Sequence, residues 1–168
     1  EMNKIIVIAT IACLRALTAC SDGSDPTPQP VPETKVCLEG AIGVSTRAVI
    51  GSGYKKDLAV CFARQDETGS GVYGTWSVSG AVRSGGAGNR PVVFDETQLY
   101  PSDGSNIRLH GYYPVTGEPD AAAGRMTFTI DGMTDVMATG PLSGNSFAPL
   151  RTCTFHHLLT QLGLLCYS

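Results

Sequence analysis

The chain has 168 residues, a formal net charge of −3 and 16% charged residues. It contains no basic run, which argues against a nucleic-acid-binding surface. Its 20 glycines and 10 prolines predict many turns and exclude long helices, while a hydrophobic content of 42% is enough for a folded core.

Residues 1–19 predict the signal peptide of a bacterial lipoprotein. Lys4 gives a positive start, and the apolar stretch from Ile5 to Leu17 is shorter than the roughly 20 residues that span a bilayer. The stretch leads into Leu17-Thr18-Ala19-Cys20, which resembles a lipobox. The resemblance implies cleavage before Cys20 and lipid attachment to its thiol. Arg15 interrupts the apolar stretch, so the alternatives are a chance cysteine near a poor signal peptide or a short buried helix.

Residues 20–35 predict a flexible acidic and proline-rich tether. The acidic stretch Ser21–Asp25 resembles surface-export signals of lipoproteins in Bacteroides-like bacteria. The segment Pro26–Pro32 has proline at every second position, which favours extended backbone and cannot build a packed core. We therefore expect one folded domain over residues 36–168, lipid-anchored and surface-exposed at the cell outer membrane.

Short alternating segments predict an all-β domain, either a sandwich or a barrel. Leu58, Val60 and Phe62 are predicted to share a core face, as are Ile107, Leu109 and Tyr113. The cleanest alternation predicts that Met126, Phe128 and Ile130 point inward. One short helix is predicted over 156–162. The predicted strands are 36–39, 58–64, 72–82, 92–94, 107–113 and 125–131.

Six cysteines are present, and none forms a C-x-x-C pair. This excludes the usual zinc-ribbon and thioredoxin-type motifs. Cys37, Cys61, Cys153 and Cys166 fall in the folded region, where unpaired packing is favoured over disulfides. The sequence does not fix any pairing among these four cysteines.

Three ordered segments resemble the fimbrillin family of Bacteroidales. They are Gly111-Tyr112-Tyr113-Pro114, the segment from Phe128 to Ala138, and the segment from Phe155 to Leu162. The resemblance implies a transthyretin-like antiparallel β-sandwich, of which the family usually has two in tandem. The chain matches the N-terminal domain, and the second domain is expected to be missing.

The resemblance also implies a structural and adhesive role in bacterial fimbriae, as a pilus subunit, anchor or tip. Family members are exported as lipoproteins and joined to other fimbrial subunits by β-strand addition. Stalk subunits are first cut after an arginine, which removes the first strand and opens a groove. Arg47, in Ser45-Thr46-Arg47-Ala48, is the candidate cleavage site. The alternative is an uncleaved anchor or tip protein. No receptor on host or bacterial surfaces can be named.

No enzymatic activity, cofactor or metal is expected. His156 and His157 are adjacent, so their side chains diverge, and a structural hydrogen-bonded His156 is predicted. Asp131 and Asp135 lack the spacing of a calcium loop, and Asp135 is predicted to be a turn residue.

The competing function is a surface glycan-binding lipoprotein with a β-sandwich binding module. It requires Trp76, Tyr112 and Tyr113 to form an exposed aromatic platform. The hypothesis fails if these side chains are buried in the core or between sheets.

Overall fold

The computed structural model describes residues 33–44, 50–120, 125–131 and 133–158. Within those ranges the regular structure is entirely β, and no helix could cross a membrane. The strands are β1 (Leu38–Ile42), β2 (Leu58–Gly69), β3 (Val72–Tyr73), β4 (Ser77–Arg83), β5 (Arg90–Phe94), β6 (Ile107–Tyr113), β7 (Glu118–Asp120), β8 (Arg125–Thr127), β9 (Met137–Thr139), β10 (Leu142–Gly144) and β11 (Thr152–His157).

Seven of these strands close into a barrel. The order around it is β6-β9-β11-β1-β5-β4-β2, and β2 pairs again with β6. β10 extends the pairing along β6, β3 forms a hairpin with the end of β2, and β7 and β8 form a separate two-stranded sheet. The all-β class is therefore as predicted, whereas the predicted transthyretin-like β-sandwich is wrong.

The long strand β2 is the reason for closure. It pairs with β4 over Leu58–Arg64 and with β6 over Cys61–Asp66, so both of its edges are hydrogen-bonded. In a sandwich the strands at the sheet margins keep one free edge. Alternating inward and outward side chains occur in both architectures, so the sequence pattern did not distinguish them.

The barrel interior is filled by large apolar side chains. The Phe62 ring lies 6.0 Å from the Phe155 ring and 5.2 Å from the Phe94 ring, measured between centroids. Phe62 and Phe155 are fully buried. Both predicted core faces are confirmed: the members of the first are Leu58, Val60 and Phe62, and those of the second are Ile107, Leu109 and the half-buried Tyr113.

Three predicted strands are wrong in part. The first, predicted over 36–39, begins only at Leu38 and continues to Ile42. The segment 72–82 is divided between β3 and β4, and Trp76 lies in the connection while Val78 is exposed. The segment 125–131 forms strand only over Arg125–Thr127, and its sole strand partner among the described residues is β7. Ile130 is 61% exposed rather than inward-facing. Pairing with the barrel, not alternation, decides which faces are buried.

The predicted helix over 156–162 is wrong for the three of its residues that the structure describes, 156–158, none of which is helical. His156 and His157 belong to β11, which pairs with β1 and β9. Two strand neighbours therefore override the short helical pattern. Residues 159–162 lie outside the described part of the chain.

The described cysteines are free thiols. Cys61 and Cys153 are buried and pack as predicted, whereas Cys37 is exposed. Cys166 lies outside the described residues.

Candidate strand-addition site

Strand β1 is an interior strand of the barrel. On one side it runs parallel to β11, with Glu39 opposite Thr152 and Ile42 opposite Phe155. On the other side it runs antiparallel to β5, with Leu38 opposite Val92. Taking β1 away would leave β5 and β11 each with an unpaired edge. We call the space that β1 fills between these two strands the β1 slot.

The inward residues of β1 meet the barrel core. Leu38 is 3% exposed and Ile42 is 4% exposed. Gly40, between them, is also buried. The β1 slot therefore has an apolar floor along its length, which a strand with alternating apolar residues can cover.

There is little room at the centre of the β1 slot. A Cβ atom at Gly40 would lie 3.1 Å from Val92 Cγ2 and 3.4 Å from Phe155 Cε2. The first distance is shorter than normal van der Waals contact, and the Phe155 ring is fully buried. Glycine at this position therefore lets β1 lie close to the aromatic core.

Arg83 connects β4 to β1 through the barrel interior. Its side chain is fully buried, and its Nε donates a hydrogen bond of 2.9 Å to the Gly40 carbonyl oxygen. Its terminal nitrogens donate to the carbonyl oxygens of Ser84, Gly86 and Gly88. The guanidinium thus connects β1 to the glycine-rich loop that follows β4.

Burial shifts the pKa of Arg83 and that of the nearby Cys153 thiol. Desolvation lowers the pKa of Arg83 from its ordinary value, and the positive charge of Arg90 lowers it further. Desolvation also raises the pKa of the Cys153 thiol to about 12. Arginine remains charged even so, so a cation and a neutral thiol lie beside the β1 slot.

The sequence pattern indicated a role for neither Gly40 nor Arg83. A weak signal existed for Arg83, because it continues the inward series of Ser79 and Ala81 along β4. Arginine is rarely fully buried without partners, so an arginine at the end of such a series is predicted to face solvent unless its carbonyl partners are known. Those partners are Gly40, which is distant in sequence and lies on β1, and three residues of the loop that directly follows β4.

Strand β1 leaves the barrel just before the candidate cleavage site. The Gly43 amide donates to the Phe155 carbonyl oxygen at 2.8 Å, and Val44 is 88% exposed. Arg47 itself and Cys20 lie outside the described residues.

Two of the three aromatic residues of the glycan hypothesis, Trp76 and Tyr112, lie on the outer face of the barrel. Tyr112 is buried, and Trp76 is half-buried with its ring stacked on His110 at 5.9 Å. Tyr113 points to the interior side instead. Met126 and Phe128, from the β7–β8 hairpin and the residue after it, pack over this outer cluster. The three residues do not form one exposed platform.

A cavity of about 210 Å³ lies within the outer cluster. Ala63, Trp76, His110 and Phe128 are among its lining residues, and the lining is mainly apolar. Burial lowers the pKa of His110, and the positive Arg108 lowers it further, so the imidazole is neutral at pH 7. The cavity offers apolar contact but little hydrogen bonding.

A carboxylate–imidazole pair lies at the end of β11. His157 Nδ1 lies 2.8 Å from Asp135 Oδ2, and both side chains are about nine-tenths buried. Nε2 of His157 is buried without a partner. The hydrogen-bonded histidine is therefore His157 rather than the predicted His156, which is exposed. Asp131, rather than Asp135, accepts the turn hydrogen bonds, from the amides of Met133 and Thr134.

Metal-ligating side chains are dispersed in the described ranges. No group of three His, Cys, Asp or Glu residues there lies close enough to hold an ion.

Comparisons with known proteins give one distant structural likeness. No family model matches the chain, and no curated protein matches it. A crystal structure from Bacteroides uniformis, of a protein provisionally named a cell adhesion protein, is similar over 73% of this chain with a TM-score of 0.46 and 18% identity. The chain spans about half of that protein, since the likeness covers 47% of its length.

Proposed function

We propose that this chain is a structural and adhesive component of bacterial surface fimbriae, assembled by β-strand addition after export as a lipoprotein. The observation that carries the proposal is the position of β1. It is a short interior strand whose two neighbours, β5 and β11, would both gain a free edge if it left. A strand from another subunit could then pair with both edges and cover the apolar floor.

The sequence supports the surface location. Cys20 follows a lipobox-like segment, and the acidic and proline-rich tether of residues 20–35 suits a domain held away from a membrane. Arg47 lies three residues after the exposed Val44, so a cut after Arg47 would separate β1 from the rest of the barrel in the chain. The partners that we propose are other fimbrial subunits.

We propose a non-catalytic role for the same reason. The proposed assembly uses backbone hydrogen bonds between strands and burial of apolar side chains, and neither interaction requires a reactive side chain. The glycan-binding alternative has weaker support, because Tyr112 is buried and Trp76 is half-covered by its stacking on His110.

Strand replacement tests the proposal directly. A viral protease recognition sequence would replace residues 45–49 of the full chain, and the cut protein would be unfolded and refolded with excess synthetic peptide of residues 36–44. We expect a complex with one peptide per chain that resists heating more than the cut chain alone. The control is the same chain left uncut, which should exclude the peptide because β1 is tethered. A cut chain that refolds but takes up no peptide would overturn the proposal.

Lipidation needs a separate test in cells. Bacteria that express the full chain would be labelled with radioactive palmitate, with Cys20→Ser as the matched control. We expect label on the unaltered chain alone. Equal labelling of both proteins, or of neither, would contradict the lipoprotein assignment.

A further inference from the structure

We infer that the β1 slot selects its strand by sequence: it accepts large apolar residues at the positions of Leu38 and Ile42 and glycine at the central inward position between them. This inference rests on the proposed function, because it specifies the partner that strand addition would use. The partner is a β-strand of another fimbrial subunit, with glycine at its central inward position.

Glycine is required because the core is fixed at the centre of the β1 slot. The Phe155 ring lies between two glycines: a Cβ at Gly40 would lie 3.4 Å from its Cε2, and a Cβ at Gly111 would lie 3.0 Å from its Cε1. A Cβ at Gly40 would also lie only 3.1 Å from Cγ2 of Val92, on the neighbouring strand β5. Since Phe155 is fully buried, it cannot move outward to admit a branched side chain.

Large apolar residues are required two positions away on either side. Leu38 and Ile42 are almost completely buried and belong to the main core cluster. A polar or small residue at either place would leave the barrel interior open to water or underpacked. Glu39 is exposed on the opposite face of β1, so the slot places no comparable demand on that position.

Arg83 fixes the register of the strand. Its Nε donates a hydrogen bond of 2.9 Å to the Gly40 carbonyl oxygen, and three of its other four N–H groups donate to loop carbonyls. A slip of two residues would keep a carbonyl within reach but would place Leu38 or Ile42 against Phe155. The guanidinium and the aromatic wall together therefore admit one register.

A peptide series on the cut, refolded chain tests this inference. The series contains residues 36–44 unaltered, with Gly40→Ala, and with Gly40→Val. Its matched controls are Glu39→Gln, on the exposed face, and the double change Gly40→Ala with Ile42→Gly, which moves the glycine by one inward position. Affinities would be measured by fluorescence polarisation of labelled peptides.

We expect Gly40→Val to weaken binding at least about tenfold, as overpacking a fixed core does. Gly40→Ala should weaken it less, and the displaced glycine should also weaken it at least about tenfold, because it loses Ile42 as well. Glu39→Gln should stay within about twofold.

The outcomes separate this inference from the proposed function. If the unaltered peptide binds and Gly40→Val binds equally well, strand selection by glycine is overturned while strand addition stands. If no peptide binds, including the unaltered one, strand addition itself fails. A ranking led by the unaltered and Glu39→Gln peptides supports both.

Discussion

Two segments with the same alternating pattern have different roles in this molecule. Ile107–Tyr113 forms β6, which pairs with β2, β9 and β10 and lines the barrel core. Arg125–Asp131 has the more regular alternation, yet only its first three residues form a strand, in a hairpin appended to the outer face. Alternation therefore indicates strand character, and long-range pairing decides whether a strand becomes barrel wall or covering hairpin.

The arginines of the two regions should differ most. Arg83→Ala leaves buried carbonyl oxygens without donors and opens space in the barrel, so we expect a loss of about 3–5 kcal/mol in the free energy of unfolding. Arg125 is 74% exposed and pairs with Asp120, itself 43% exposed, so Arg125→Ala should cost less than about 0.5 kcal/mol. Urea unfolding of both variants measures the difference. Equal losses of unfolding free energy in the two variants would contradict the difference between barrel and hairpin.

Apolar truncations should follow the same division. Leu109 is 1% exposed in the barrel wall, and Leu109→Ala should destabilise the protein by about 2–5 kcal/mol. Ile130 is 61% exposed, and Ile130→Ala should change the free energy by less than about 0.5 kcal/mol. Thermal unfolding monitored by circular dichroism gives both values. A larger loss for Ile130→Ala would mean that the hairpin region is part of the core.

Thiol labelling can separate opening of the hairpin from unfolding of the barrel. Cys61 lies in the outer cluster beneath Met126 and Phe128, whereas Cys153 lies in the barrel core. Burial raises the pKa of both thiols, that of Cys153 to about 12, so neither is reactive while covered. In single-cysteine variants we expect Cys61 to react through local opening that urea hardly accelerates.

Cys153 should react only through global unfolding, with a rate that rises steeply with urea. Cys37, which is exposed, provides the reference for an uncovered thiol. Identical urea dependences for Cys61 and Cys153 would show that hairpin and barrel open as one unit.

The smallest effect concerns the turn that follows the hairpin. Hydrogen bonds from the amides of Thr134 and Met133 and from the Thr134 hydroxyl lower the pKa of Asp131 to about 2. A lowered pKa means that the stabilisation is present above about pH 4, the unfolded value, and is lost as the pH falls through about 2.

Amide chemical shifts measure this titration. The shifts of Met133 and Thr134 should move with a midpoint near pH 2, while those of β6 stay constant. Asp131→Asn keeps an acceptor but cannot titrate, and should abolish the midpoint. A midpoint near the ordinary aspartate pKa would contradict the hydrogen-bonded turn.

The sequence predicted local features better than their assembly. The inward faces of Leu58–Phe62 and of β6 were correct because apolar alternation is a local signal. Closure into a barrel depends on β2 bonding to both β4 and β6, and no local pattern encodes that second pairing. The importance of Gly40 and Arg83 likewise arises from contacts with Phe155 and with a loop, which sequence spacing did not indicate.

Hydrogen exchange in the barrel from which β1 has been removed tests the central claim most directly. The full chain would be cut at the protease recognition sequence that replaces residues 45–49. The fragment that carries β1 would then be removed under mild denaturant. We predict lost amide protection in β5 and β11, retained protection in β2 and β6, and recovery when the peptide of residues 36–44 is added. Loss of protection throughout the barrel, or failure of the peptide to restore it in β5 and β11, would contradict a replaceable β1.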